Sequence, residues 1–300
     1  MAVSFPKNAM PALDSIREFK VVKDAVVLAP SPRDPRGETS GVVDIQADDT
    51  MVLDEASLVQ DAAMLPSDYR FNNTLIRANA VQAGGNLGQG VVVAVIDTGT
   101  ANNSAKVPAL AGTVIGGQSF VPAAADPVLS ATSTKNNAHG TWVGTMIAGH
   151  AAFLFSNASC FARSITLNAP DSIQDAAPFG FPGSSIVRMT GVAPSSRIYA
   201  VKVFNSKGGG SPESRIIAAM DRVITMKKNF LAGKPSVPVS GSGTEDDPFV
   251  FDSLDIQVVN MSLGGPTMFA GRDMEDVLTQ QMLAVGITVS ISAGNADLPA

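Results

Sequence analysis

Val91-Val92-Val93-Ala94-Val95-Ile96-Asp97-Thr98-Gly99 decides how the rest of the chain is read. Residues 91–96 are five β-branched side chains and one alanine, an unbroken apolar run without the alternation of a half-buried strand. Such a run predicts a strand buried on both faces, as in a parallel sheet. It ends on a carboxylate followed by Thr98-Gly99, a turn signal. Open α/β sheets bind ligands at the carboxyl ends of their strands, so Asp97 is a candidate functional acid. Taken alone, it reads equally well as a turn-capping residue.

The pattern on either side supports an α/β chain. Residues 118–121 read as a second strand. A helix is expected to begin near His139, with Trp142, Val143, Met146 and Ile147 at helical spacing. Gly140 and Gly144 are poor helix formers, which implies close backbone approach there. Residues 197–204 read as the next strand, and Gly208-Gly209-Gly210 as a flexible turn. Ser211-Pro212 should cap and open a helix whose buried face carries Ile216, Met220, Val223 and Ile224. Residues 256–263 form a strand running into Gly264-Gly265. Met274, Val277, Leu278, Met282 and Val285 then mark an amphipathic helix closed by Gly286. Residues 287–291 make a last strand, ending in Ser292-Ala293-Gly294-Asn295. This alternation predicts a parallel sheet.

The remainder is read as additions to that frame. Residues 75–83 suggest a short helix before Gly84-Gly85. Residues 151–188 and 231–254 read as loop-like insertions into a domain spanning 76–300. Residues 1–75 lack a clear period and are taken as an N-terminal extension or the remnant of a pro-segment. They hold one possible strand (21–22 and 25–29), a turn-rich linker (31–37) and an acidic stretch (44–61).

Composition narrows the function. The 300 residues carry a formal charge of −6, which argues against nucleic acid as a partner, because phosphate binding needs a basic face. A single cysteine, Cys160, excludes an internal disulfide framework and a cysteine-based zinc cluster. No run reaches the ~18 apolar residues of a membrane helix. Residues 1–10 have one lysine and no long apolar region, so no signal peptide is read. Gly88-Gln89-Gly90 precedes the strand instead of following it, which is wrong for a dinucleotide fold.

Asp97, His139 and Asn295 all fall at predicted strand or helix ends. An acid, a base and an amide donor are three of the four parts of an acyl-transfer site. The base takes a proton from a nucleophile, the acid orients the imidazole, and the amide donates to the oxyanion. A histidine at a helix start also feels the positive end of the dipole, which favours neutral imidazole. His150 reads as structural, and Glu245-Asp246-Asp247 as a solvated loop.

Five motifs occur in order: Val95-Ile96-Asp97-Thr98-Gly99; His139-Gly140-Thr141 with Val143-Gly144; Gly191-Val192-Ala193-Pro194 before Tyr199-Ala200-Val201-Lys202-Val203; Asn260-Met261-Ser262-Leu263-Gly264; and Ala293-Gly294-Asn295. Over residues 75–300 the chain resembles the subtilisin-like serine proteases. The resemblance implies a three-layer α/β fold with a central parallel sheet, C-terminally incomplete here. It implies an endopeptidase in which Asp97 and His139 belong to an Asp-His-Ser triad and Asn295 donates to the oxyanion. It also implies that Ser262-Leu263-Gly264 and Ala293-Gly294 wall the specificity pocket. Gly208, Gly209 and Gly210 would pair with an extended polypeptide substrate. Members of that family are mostly extracellular and often bind calcium. The insertion at 151–188 stands where a common calcium loop would be, so calcium is not carried over.

The family's nucleophile is the serine of a Gly-Thr-Ser segment beyond the Ala-Gly-Asn motif. Each Gly-Thr here is followed by Ala101, Val114, Trp142, Met146 or Glu245. The nucleophile is therefore expected beyond residue 300, and the 300 residues alone should be inactive. Two alternatives remain at this stage. One is a non-catalytic, peptide-binding pseudoprotease. The other takes Asp97-Thr98-Gly99 as an aspartic-protease signature, which would need a second carboxylate from a partner copy.

Overall fold

A computed structural model describes residue 73 and residues 76–168, 170–265, 271 and 273–293. The expected features between residues 1 and 72 lie outside the described residues, as do Gly294 and Asn295. The chain divides into two units. One holds the described residues up to Leu87 with Ser104–Leu110 and Thr145–Pro194. The other holds Gly88–Asn103, Ala111–Gly144 and the described residues from Ser195 onward.

The second unit is built on a five-stranded parallel sheet. Its strands are β1 (Val92–Asp97), β2 (Val114–Ser119), β6 (Arg197–Lys202), β9 (Ile256–Met261) and β10 (Thr288–Ile291), in the order β10-β9-β1-β6-β2. Every residue of β1 is buried, as its unbroken apolar run requires. The register sets Val92 opposite Arg197 and Asp97 opposite Lys202. The strands run the same way, so Asp97, Lys202, Met261 and Ile291 all come at carboxyl ends. Helix α4 (Glu213–Leu231) packs Met220, Val223 and Ile224 into the core with Ile96, Tyr199, Val259 and Met282. The last of these comes from helix α5 (Met274–Ala284).

Several expectations are corrected. Strand β2 begins at Val114, earlier than 118–121, and contains Gly116 and Gly117. Glycine has low strand preference, which hid the strand. A Cβ on Gly116 would lie 2.2 Å from the Phe249 carbonyl oxygen, so a bare backbone is required there. Pro212, not Ser211, precedes helix α4. Ser211 instead donates through Oγ to the Val203 carbonyl, at 2.7 Å. In α5, Leu278 and Met282 are buried, whereas Met274 and Val277 are exposed. Gly286 follows that helix at φ 82°, after a C-cap at Val285. Residues 231–254 contain a short hairpin of β7 (Pro238–Ser240) and β8 (Val250–Phe251).

The first unit carries the other correction. Residues 151–188 are not loop-like. They hold most of an antiparallel sheet, ordered β3 (His150–Ser156), β5 (Ser184–Thr190), β4 (Ile173–Asp175), and a helix α3 (Cys160–Asn168). Alternate residues of β3 enter two apolar clusters. Ala151, Phe153 and Phe155 pack with Val187 and Ala162, while Leu154 packs with Ile186 and Ala176. A strand with both faces covered shows no polar alternation, so its period was hidden. Helix α1 (Ala78–Ala83) also belongs to this unit, and its Gln82 donates to the Gly191 carbonyl at 2.9 Å.

Candidate active site

Asp97 closes β1 and is 1% exposed, whereas the His139 side chain is 29% exposed. His139 is the first residue of helix α2 (His139–Ala148). Its Nδ1 lies 2.8 Å from Asp97 Oδ1 and 2.9 Å from Oδ2. An ionised carboxylate only accepts, so Nδ1 is the protonated nitrogen and Nε2 keeps its lone pair in the neutral ring. That is the tautomer a general base needs.

Local backbone chemistry fixes the pair. Thr98 N–H donates to Asp97 Oδ1 at 2.6 Å. Thr98 Oγ1 donates to the Asn137 carbonyl at 2.7 Å and accepts from Gly140 N–H at 2.9 Å. Asn137 Oδ1 accepts from His139 N–H at 3.0 Å, an Asx-type cap on the helix start. A Cβ on Gly140 would sit 2.2 Å from the Gly99 carbonyl oxygen and 3.1 Å from Asp97 Oδ1. Gly99 has φ 101°, and a Cβ there would meet the Ala131 oxygen at 2.4 Å. Gly140 thus lets the start of α2 touch the turn after β1, and Gly99 lets that turn touch the backbone at Ala131. The Trp142 ring stands edge-on to the imidazole, with centroids 6.1 Å apart.

The electrostatics differ from the helix-dipole expectation. The hydrogen bond to Asp97 raises the His139 pKa above the ordinary histidine value, and the charge on Asp97 adds to the rise. Burial opposes it and loses. A nearby full charge outweighs the partial charge of a helix end.

The glycine turn lies on the histidine side. A Cβ on Gly208 would be 3.0 Å from Asn137 Nδ2, and Gly208 and Gly209 have φ 77° and 95°. Gly210 is exposed beside them. At the ends of β9 and β10, Ser292 N–H donates to the Met261 carbonyl at 3.1 Å. Ser292 Oγ donates to Leu263 O at 3.3 Å. Ser262-Leu263-Gly264 therefore runs beside the approach to Ala293, which is exposed.

Three features went unread in the sequence. Thr98 and Asn137 lock the pair, and only the Thr-Gly turn signal pointed to the first. The third is a buried pair, Lys202 and Asp126, close to the same edge. Glu245 is also not a solvated loop residue: its carboxylate accepts from Thr134 N–H at 2.6 Å and Asn103 Nδ2 at 2.5 Å. Among the described residues no group of three or more His, Cys, Asp or Glu side chains is arranged to hold a metal ion.

The model of the subtilase family matches residues 88–299. The chain belongs to the subtilase family. It is 29% identical over 220 residues to a subtilisin from Bacillus pumilus, covering 73% of this chain and 53% of that protein. Subtilisin E of Bacillus subtilis (strain 168) is 29% identical over 220 residues, 73% of this chain and 38% of the relative. Subtilisin DY of Bacillus licheniformis is 28% identical over 222 residues, 74% of this chain and 53% of the relative. This subtilase thus spans about half or less of the length of the relatives it matches. Its parallel five-stranded sheet is that of the subtilisin-like fold.

Proposed function

We propose that this subtilase is the acid–base portion of a serine endopeptidase acting on polypeptides. The observation that carries the reading is the contact of His139 Nδ1 with both Asp97 carboxylate oxygens, at 2.8 and 2.9 Å. Asp97 holds the imidazole so that Nε2 takes the proton of a serine hydroxyl as its oxygen attacks the scissile carbonyl carbon. The imidazolium, stabilised by Asp97, then gives that proton to the leaving amine. Water repeats the cycle on the acyl-enzyme. The serine is expected beyond residue 300, since no Gly-Thr-Ser occurs in the chain. Asn295 is assigned the oxyanion, Gly208–Gly210 the peptide edge, and Ser262, Leu263, Gly264, Ala293 and Gly294 the pocket walls.

The aspartic-protease alternative loses ground because both Asp97 oxygens are occupied by an imidazole, not by a second carboxylate. Among the described residues no helix is long and apolar enough to cross a membrane. The test is a fluorophosphonate probe applied to the full-length, folded protein. One serine should be labelled, and Asp97→Asn should slow its labelling sharply. A folded protein that takes up no label would favour a pseudoprotease and overturn the reading.

A further inference from the structure

Beside the acid–imidazole pair lies a second carboxylate–cation pair that acid–base chemistry does not use. Lys202 ends β6 and is 0% exposed; Asp126 is 1% exposed. The ammonium donates to Asp126 Oδ2 at 2.8 Å, to the Val128 carbonyl at 2.5 Å and to Asn136 Oδ1 at 2.6 Å. Asp126 also accepts from Ser206 N–H at 2.5 Å, from Ser206 Oγ at 2.7 Å and from Val128 N–H at 3.0 Å. Removing two charges from water is costly unless every polar atom finds a partner, and these do.

The partners sit on two segments that meet at the site. One is the arm 126–137 leading into His139. Asn136 Nδ2 donates to Ser130 O at 2.9 Å, and the next residue, Asn137, both accepts from Thr98 and caps the His139 helix. The other is the turn 205–208. Lys207 N–H donates to Asn205 Oδ1 at 3.1 Å and Gly208 N–H to Asn205 O at 3.1 Å, so fixing Ser206 fixes Gly208. The two segments close on each other where Gly208 faces the Asn137 side chain.

We propose that Asp126 and Lys202 are positioning residues that set the spacing between the histidine arm and the glycine edge, and so govern binding of extended peptides. The inference rests on the peptidase reading for its substrate, and on geometry alone for the coupling. Neither side chain touches the reacting atoms, so the effect should fall on peptide length and not on the imidazole. A one-ångström misplacement of a binding edge is enough to cost an order of magnitude or more.

The test compares a tetrapeptide anilide with a short single-residue ester in the full-length protein. Asp126→Asn and Ser206→Ala should each lower the tetrapeptide-to-ester ratio of kcat/KM, by about tenfold for Asp126→Asn, through KM. The histidine limb of the pH profile should stay in place. An unchanged ratio, or a loss confined to kcat with a displaced limb, would overturn the proposal. Ser206→Ala keeps the ion pair and decides the matter if Asp126→Asn does not fold. If the wild-type protein hydrolyses neither substrate, the peptidase reading fails while the coupling stays open to amide hydrogen exchange. Ser206→Ala should then speed exchange in both 126–137 and 205–210, and faster exchange in 205–210 alone would refute the coupling.

Discussion

Asp97 and Lys202 occupy the same register on β1 and β6, yet the two pairs they belong to are built differently. In Asp97–His139 one partner is buried and the other is 29% exposed. In Asp126–Lys202 neither partner reaches solvent, at 1% and 0% exposed. The first pair leaves the imidazole part exposed, as the proposed general base requires. The second has every strong hydrogen-bonding direction taken by protein and exchanges nothing. On the proposed reading, the pair with one buried partner carries a proton and the pair with both partners buried fastens the arm.

Substitutions should separate the two. In the full-length protein, Asp97→Asn should lower turnover by about four orders of magnitude with the fold intact, the loss expected when a triad acid is neutralised. Steady-state kinetics with a circular-dichroism check would show it, and near-normal turnover would remove Asp97 from the chemistry. Lys202→Ala should do the reverse. It strands a buried carboxylate and should cost about 3–5 kcal/mol of stability in denaturant unfolding. An unchanged midpoint would mean that the pair does not fasten the arm.

The pH responses should also differ in sign. Asp97 raises the His139 pKa, so the neutral base is reached only above the ordinary histidine range. Activity should rise with pH through that raised value. The stability the pair contributes is full below the unfolded histidine pKa and is lost as pH rises through the folded one. Asp126 is opposite. Burial pushes its carboxyl up, but Lys202, Val128 and Ser206 together hold it well below the usual carboxylate range. Its contribution is present above the ordinary aspartate pKa and is lost as pH falls toward the depressed value. A melting-temperature series from about pH 2 to about pH 9 covers the onset of both limbs, and a stability profile that does not fall below the ordinary aspartate pKa would contradict the Asp126 account.

The smallest effect belongs to a carboxylate set beside another carboxylate. Burial, and then the neighbouring Glu213, push Glu275 up to about 7. The folded state therefore keeps a proton that the unfolded state releases, and stability should fall as pH rises toward 7. Glu275→Gln should raise Tm slightly at pH 8 and leave it unchanged at pH 4. Equal Tm values at pH 8 would show that the two carboxylates do not repel.

These contrasts also explain what could be read in the sequence. The buried strand was legible from its unbroken apolar run, whereas its terminal acid Asp97 stood out from a turn-capping residue only beside the later motifs. Gly140 signalled close approach, and the backbone contact with Gly99 is its cause. Lys202 was not legible, because a lysine inside an apolar strand reads as a solvated edge residue until its partners, 66 to 76 positions away, are in place. Strand β3 was hidden by having two covered faces, and β2 by its glycines. Ser211 looked like a helix cap, but its hydroxyl is drawn to Val203 instead. Asn295 and Gly294 lie outside the described residues, so their assigned roles rest on the motif.

The most direct test of the central claim needs no nucleophile. Nitrogen-15 NMR of the imidazoles can be assigned readily, because the chain has only two histidines. The account predicts that His139 carries its proton on Nδ1 when neutral and titrates above the ordinary histidine value, and that Asp97→Asn abolishes both features. A His139 protonated on Nε2, or titrating identically with and without the Asp97 carboxylate, would contradict it.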